Sequence, residues 1–191
     1  MHLTVLLILV AACVVMFVLE LAGIPTTLDL HFKGDIKRES RWLAQYGQSV
    51  CTPVAALLVW RLDPIQSLNR GILIVVAVTA ASLSCTIVKR LVGRVRPGRP
   101  DAGKFLGPTW RHANFREAFP SSHSACAVCL SALLAALYPN AAVVFWALAI
   151  ICAVLRYLLD AHWPSDVLGG CAAGFGMAWA ALVIAEPYIY R

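Results

Sequence analysis

The chain has 191 residues, of which 60% are hydrophobic and 14% charged, with a mean hydropathy of +0.75. Soluble domains carry about a quarter charged residues, so this composition fits an integral membrane protein and excludes an ordinary soluble enzyme. The net charge of +6 does not indicate nucleic acid, because the basic residues lie between apolar spans; it suits an anionic substrate or lipid headgroups.

A spanning helix needs about 20 mainly apolar residues. Residues 3–23 satisfy this with Glu20 as their only charge, and are too apolar for too long to be a signal peptide, so they are expected to remain as a first span. Residues 24–45 are mixed and basic (Lys33, Lys37, Arg38, Arg41) and read as a short interfacial segment. A weaker span at 46–60 contains Pro53, read as an interruption. After a polar loop at 61–70, a third span covers 71–88 and runs into "KRLVGRVRPGRP". Residues 98–119 form a long polar connection. A fourth span starts near Ser121, a fifth covers about 141–159 and a sixth about 164–186. Gly170 and Gly174, a GxxxG pair, imply close packing of the last helix on a neighbour. The seven cysteines all lie in apolar stretches without disulfide or zinc-ligand spacing.

The expected fold is therefore all-α: a single domain, 1–191, built as a polytopic membrane bundle of about six transmembrane helices. Six spans leave three connections on one face, and 13 of the 16 Lys and Arg residues fall there. By the positive-inside rule alone that face is cytoplasmic, unless some of these cations are ligands for an anion.

Three clusters on that face carry chemistry. In "KRLVGRVRP", Lys89 and Arg96 are seven residues apart, close to two helical turns, which predicts one shared helical face ending at Pro97. In "FPSSH", Pro120 suits a first helical turn. Ser121 and Ser122 suit a helix N-terminus, where free N–H groups attract anions, and His123 sits beside them as a proton carrier. In "LRYLLDAHWPSD", Arg156 closes the fifth span, and Asp166 lies four residues beyond His162 in a turn begun by Pro164. A carboxylate there can accept a hydrogen bond from one imidazole nitrogen and leave the other as a nucleophile. Each cluster alone has an ordinary reading, as a boundary flank, a serine cap, a helix-dipole partner or a snorkelling arginine. Together, three cations, a serine-bearing helix start and two histidines suit a phosphoryl group.

These motifs resemble the type 2 phosphatidic acid phosphatase family, related to the vanadium haloperoxidases, whose signature reads K-x(6)-R-P, P-S-G-H and S-R-x(5)-H-x(3)-D. The likeness covers 89–97, 120–123 and 155–166, with Ser122 replacing the family glycine and Leu155 the serine before Arg156. It implies catalysis by His162 (nucleophile), His123 (acid, then base) and Asp166 (orienting His162), and phosphate binding by Lys89, Arg96, Ser121, Ser122 and Arg156. The implied activity is metal-independent hydrolysis of a membrane lipid phosphate or diphosphate through a phosphohistidine. Undecaprenyl pyrophosphate, phosphatidylglycerophosphate, phosphatidic acid and lipid A phosphate are the open alternatives for substrate. A phosphotransferase, or a silent anion-binding membrane protein, are the alternatives for function. No cofactor is expected: the sequence has no DxD pair, carboxylate cluster or Walker-type G-K-[ST]. The partners expected are the lipid substrate and the bilayer, with no nucleic acid and no obligate protein. By the same resemblance the protein belongs to a bacterial inner membrane with its site facing the periplasm.

Overall fold

The computed structural model describes residues 2–28, 32–48, 50–63, 67–159 and 162–189. Parts of the expected interfacial segment (29–31), weak span (49), polar loop (64–66) and third motif (160–161) lie outside the described residues. The chain forms helices α1 (His2–Leu21), α2 (Gly34–Leu43), α3 (Cys51–Leu62), α4 (Ser67–Val92), α5 (Ser122–Leu137), α6 (Ala142–Leu158) and α7 (Pro164–Ile189). Among the described residues, four segments are helical, long and apolar enough to cross a membrane: His2–Leu21, Leu68–Val92, Pro139–Leu158 and Pro164–Tyr188. Apolar α3 and α5 are shorter, so the six expected spans correspond to six apolar helices of unequal length.

Helix α5 is the centre. Its Ser, Ala and Cys side chains are small enough for close neighbours, and twelve of its residues are buried beneath α4, α6 and α7. The closest approach is at α7. A Cβ on Gly170 would lie 2.3 Å from the Ser121 carbonyl oxygen, and one on Gly174 2.1 Å from that of Ala125. Only glycine fits there, as the GxxxG spacing implied. Helix α1 packs on α7 and buries none of its own residues completely; Leu7, Ile8, Val14 and Val18 are exposed on its surface, as a lipid-facing helix requires. Polar α2 occupies part of the predicted interfacial segment, is unburied apart from partial cover at its end, and pairs Arg38 with Asp35 at 3.1 Å.

Two local readings are corrected. Pro53 does not interrupt a span: α3 begins at Cys51, placing Pro53 in a first turn where its missing N–H costs no helical bond. Helix α4 ends at Val92, so Arg96 lies beyond it and shares no helical face with Lys89. Gly93 takes φ +65°, which stops the helix and turns the chain into the 93–121 connection. That connection is folded onto itself, with the Val95 N–H on the Lys104 carbonyl and the Arg96 N–H on the Phe115 carbonyl, both at 2.9 Å.

Candidate active site

The C-terminal ends of α1, α4 and α6 meet the N-terminal ends of α5 and α7. At α5 the cap is Ser121, with Pro120 before it and joined to Phe119 by a cis peptide bond, so Pro120 does not lie in the first turn. The fully buried Ser121 side chain accepts from the Ser124 N–H at 3.4 Å and the Ser124 hydroxyl at 3.0 Å, and its N–H donates to the Asp166 carbonyl at 2.8 Å. Ser121 thus shapes the helix start, and only its hydroxyl proton is uncommitted. Ser122 and His123 follow as the first two helical residues, whose N–H groups have no intrahelical acceptor. These amides, at the positive end of the helix, are placed where an anion can bind.

His162 lies in the α6–α7 turn and is 1% exposed. Its Nδ1 donates to the Ala118 carbonyl oxygen at 2.9 Å. A carbonyl only accepts, so Nδ1 carries the proton and Nε2 the lone pair. Burial, then the cations Arg96, Arg156 and Lys89, hold its pKa well below the ordinary histidine value, against the opposing pull of that carbonyl. The ring is therefore a neutral base with one free nitrogen at neutral pH. The expected hydrogen bond from one imidazole nitrogen to Asp166 is not made: the nearer approach is Asp166 Oδ2 to Nδ1, at 3.7 Å. Its Oδ2 accepts the Trp163 N–H at 2.9 Å instead, and its Oδ1 accepts from Arg94 at 2.7 Å. The carboxylate faces the imidazole as a charge, while the backbone fixes the tautomer.

Three cations surround this pair. Lys89 is buried at the end of α4, and its side chain makes no hydrogen bond among the described residues. Arg156, in the last turn of α6, has a buried Nε without an acceptor. Arg96 is aimed from the connection, its Nε donating to the Asn114 carbonyl at 2.7 Å; burial lowers its pKa below the ordinary arginine value. His123 is within electrostatic reach of Arg156, His162, Lys89 and Arg96. The structure thus brings together His123, His162, Asp166, Lys89, Arg96 and Arg156, with Ser121 and Ser122 forming the turn beneath. Among the described residues, no three His, Cys, Asp or Glu side chains are placed to hold a metal ion.

The sequence motifs missed Glu20 and Arg94. Buried Arg94 donates to Asp166 Oδ1 at 2.7 Å, to the Ser165 hydroxyl at 2.6 Å and to Glu20 Oε2 at 2.7 Å. Glu20 also accepts the Ser165 N–H at 3.0 Å and the Ser165 hydroxyl. The available signals were a lone carboxylate in an otherwise apolar span and one arginine within a basic run.

Residues 70–189 match the family model of the PAP2 superfamily. The chain is similar to a lipid A 1-phosphatase of Rhizobium etli, 38% identical over 120 residues (62% of this chain, 50% of that protein). It is likewise similar to a lipid A 1-phosphatase of Rhizobium johnstonii, 39% identical over 110 residues (56% and 43%). The alignments thus span about half the length of these relatives. A transmembrane PAP2-type phosphatidylglycerolphosphate phosphatase from Bacillus subtilis shares the fold, with a TM-score of 0.68 at 18% identity, over 100% of this chain and 97% of the other.

Proposed function

Because the chain belongs to the PAP2 superfamily, we propose that it is a membrane lipid phosphatase acting through a phosphohistidine on His162, with a lipid A-type 1-phosphate as the first substrate to test. The observation that carries this reading is the meeting of Lys89, Arg96 and Arg156 around a neutral imidazole whose Nε2 is its free nitrogen. The substrate class is supported by the two relatives named lipid A 1-phosphatase. Position supports it too: the cluster sits where α4 and α6 end, so a lipid tail stays among exposed apolar side chains while its phosphate reaches the cations.

The chemistry follows from the geometry. The three cations and the Ser122 and His123 amides bind the phosphoryl oxygens, with the Ser121 hydroxyl proton as a further donor. Nε2 of His162 attacks phosphorus: the P–Nε2 bond forms, the P–O bond to the lipid breaks, and His123, protonated once the bound anionic phosphate offsets the surrounding cations, gives its proton to the departing oxygen. The phosphorylated imidazole keeps its Nδ1 proton and carries positive charge, which Asp166 stabilises across 3.7 Å. Neutral His123 then takes a proton from water, the hydroxide attacks phosphorus, and the P–Nε2 bond breaks. Inorganic phosphate leaves with His162 neutral and His123 protonated again. Such transfer depends mainly on positioning and charge stabilisation, which fixed cations supply in place of a metal.

The test is phosphate release by detergent-purified protein, in EDTA, from lipid A 1-phosphate, undecaprenyl pyrophosphate, phosphatidylglycerophosphate and phosphatidic acid. EDTA-resistant release that disappears in His162→Ala supports the reading and ranks the substrates. Release that survives in His162→Ala, or depends on added metal, overturns the mechanism. We place the site on the periplasmic side of a bacterial inner membrane; a C-terminal reporter active in the periplasm would reverse that orientation.

A further inference from the structure

The phosphohistidine mechanism uses His162 and Asp166 but leaves a larger buried network beside them unexplained. Arg94 lies between two carboxylates, bonded to Glu20 and to Asp166 at 2.7 Å each, and all three side chains are almost completely buried. The rings of Phe17, Phe105 and Trp163 stand 5.3, 5.4 and 5.2 Å from the guanidinium, which keeps water away and strengthens every charge interaction there. Ser165 joins the two arms: its hydroxyl touches Arg94 and Glu20, and its N–H at the start of α7 donates to Glu20. Glu20 comes from α1, outside the residues that the family model matches, and is that helix's only Asp, Glu, Lys or Arg.

Isolated carboxylates are costly inside a bundle and persist where they are paired. A simple Arg94–Asp166 pair would be neutral without Glu20. Glu20 makes the cluster net negative and turns one side of the guanidinium away from Asp166. We propose that Glu20 and Arg94 are positioning residues for phosphoryl transfer. Glu20 holds Arg94, Arg94 holds Asp166, and this clamp from the first span keeps an uncancelled negative charge 3.7 Å from His162 Nδ1. This deepens the phosphatase reading and rests on it. The clamp acts when the imidazole becomes positively charged, so it affects the rate of transfer and leaves phosphate binding by Lys89, Arg96 and Arg156 untouched.

Glu20→Gln is the informative variant, because it leaves Arg94 and Asp166 as a neutral pair that can still fold. On the purified full chain, kcat is expected to fall about 10- to 100-fold, the range seen for groups one contact removed from a reacting centre. KM and the inhibition constant of inorganic phosphate should stay near wild type, and Glu20→Asp should recover part of kcat. An unchanged kcat, or a KM that rises in step with the loss, overturns the proposal. Should Glu20→Gln fail to fold, Ser165→Ala removes the hydroxyl between both partners, and an unchanged kcat there overturns it equally. Should the wild type release phosphate from no lipid, the phosphatase reading itself has failed. The clamp is then judged by the 15N resonance of His162 Nδ1 in histidine-labelled protein. Glu20→Gln must shift that resonance, and an unmoved signal overturns the clamp.

Discussion

Both ends of the bundle bury charge, and they do so in opposite ways. At the far end, Asp63 at the close of α3 accepts from Arg70 of α4 at 2.6 Å and from the Tyr138 hydroxyl, beyond α5, at 2.8 Å. Among the described residues one cation meets one anion, a phenol joins them, and three helix ends are tied together. At the other end, Glu20 and Asp166 both turn toward Arg94, while among the described residues Lys89 and Arg156 have no carboxylate in hydrogen-bond range. A balanced buried pair is an internal tie. An excess of buried cations around a neutral imidazole, as the described residues show it, suits an anion from outside. Burial of charge is shared by the two ends; imbalance distinguishes the one we propose as active.

The largest break in this comparison is His162→Ala. It should lower turnover about 1,000-fold or more, since groups acting as a unit lose nearly everything together. Acid-labile phosphoenzyme in rapid-quench labelling should vanish with it; labelling that persists would place the nucleophile elsewhere. Next comes Arg156→Met, which removes one charge from the cradle and should reduce kcat about 100-fold, by analogy with loss of one oxyanion donor. Turnover unchanged in that variant would mean that the orphaned Nε of Arg156 does not await a phosphoryl group.

The same substitution sharpens the electrostatic side. His162 has its pKa depressed by burial, Arg96, Arg156 and Lys89, so the ring stays neutral as pH falls through the ordinary histidine range near about 6.5. An NMR titration should find it unprotonated at about pH 5.5 in the wild type, where a free histidine is mostly charged. Removing Arg156 removes one of these opposing charges, so the midpoint should rise. A wild-type ring that titrates with an ordinary midpoint would contradict the cradle's field.

Much of this was legible in the residues. Apolar run lengths located the helices, and the GxxxG spacing anticipated the α7–α5 contact, because both depend on local pattern. Spacing misled at Arg96: counting helical turns from Lys89 assumed a continuous helix, whereas Gly93 at φ +65° stops it at Val92. The orienting partner of His162 could not be read either. A backbone carbonyl, that of Ala118, has no residue-type signature, and only the fold brings it to Nδ1 across 44 positions. Glu20 was visible as a lone charge, yet its partners lie 74 and 145 residues away, beyond the reach of any local motif.

The smallest effect on turnover is expected at the far end, and it tests the contrast most directly. Asp63→Asn leaves Arg70 buried without its carboxylate, which should cost about 3–5 kcal/mol of stability. The tie lies at the opposite end of α4 and α5 from the histidines, so kcat of the folded fraction should stay within about 2-fold, as expected for sites without shared partners. Removing both charges together, as in Asp63→Leu with Arg70→Met, should recover much of the lost stability, because an apolar pair can replace a buried ion pair. Applied to Lys89 and Arg156, the same logic gives the opposite result: neutralising a cation there relieves like-charge repulsion, so thermal stability should hold or rise while turnover falls. Thermal melts of Asp63→Asn and Lys89→Met, measured beside their kcat values, therefore separate the two ends. If Lys89→Met melts as early as Asp63→Asn and turns over normally, Lys89 is a tie like Arg70, and charge imbalance does not mark the active end.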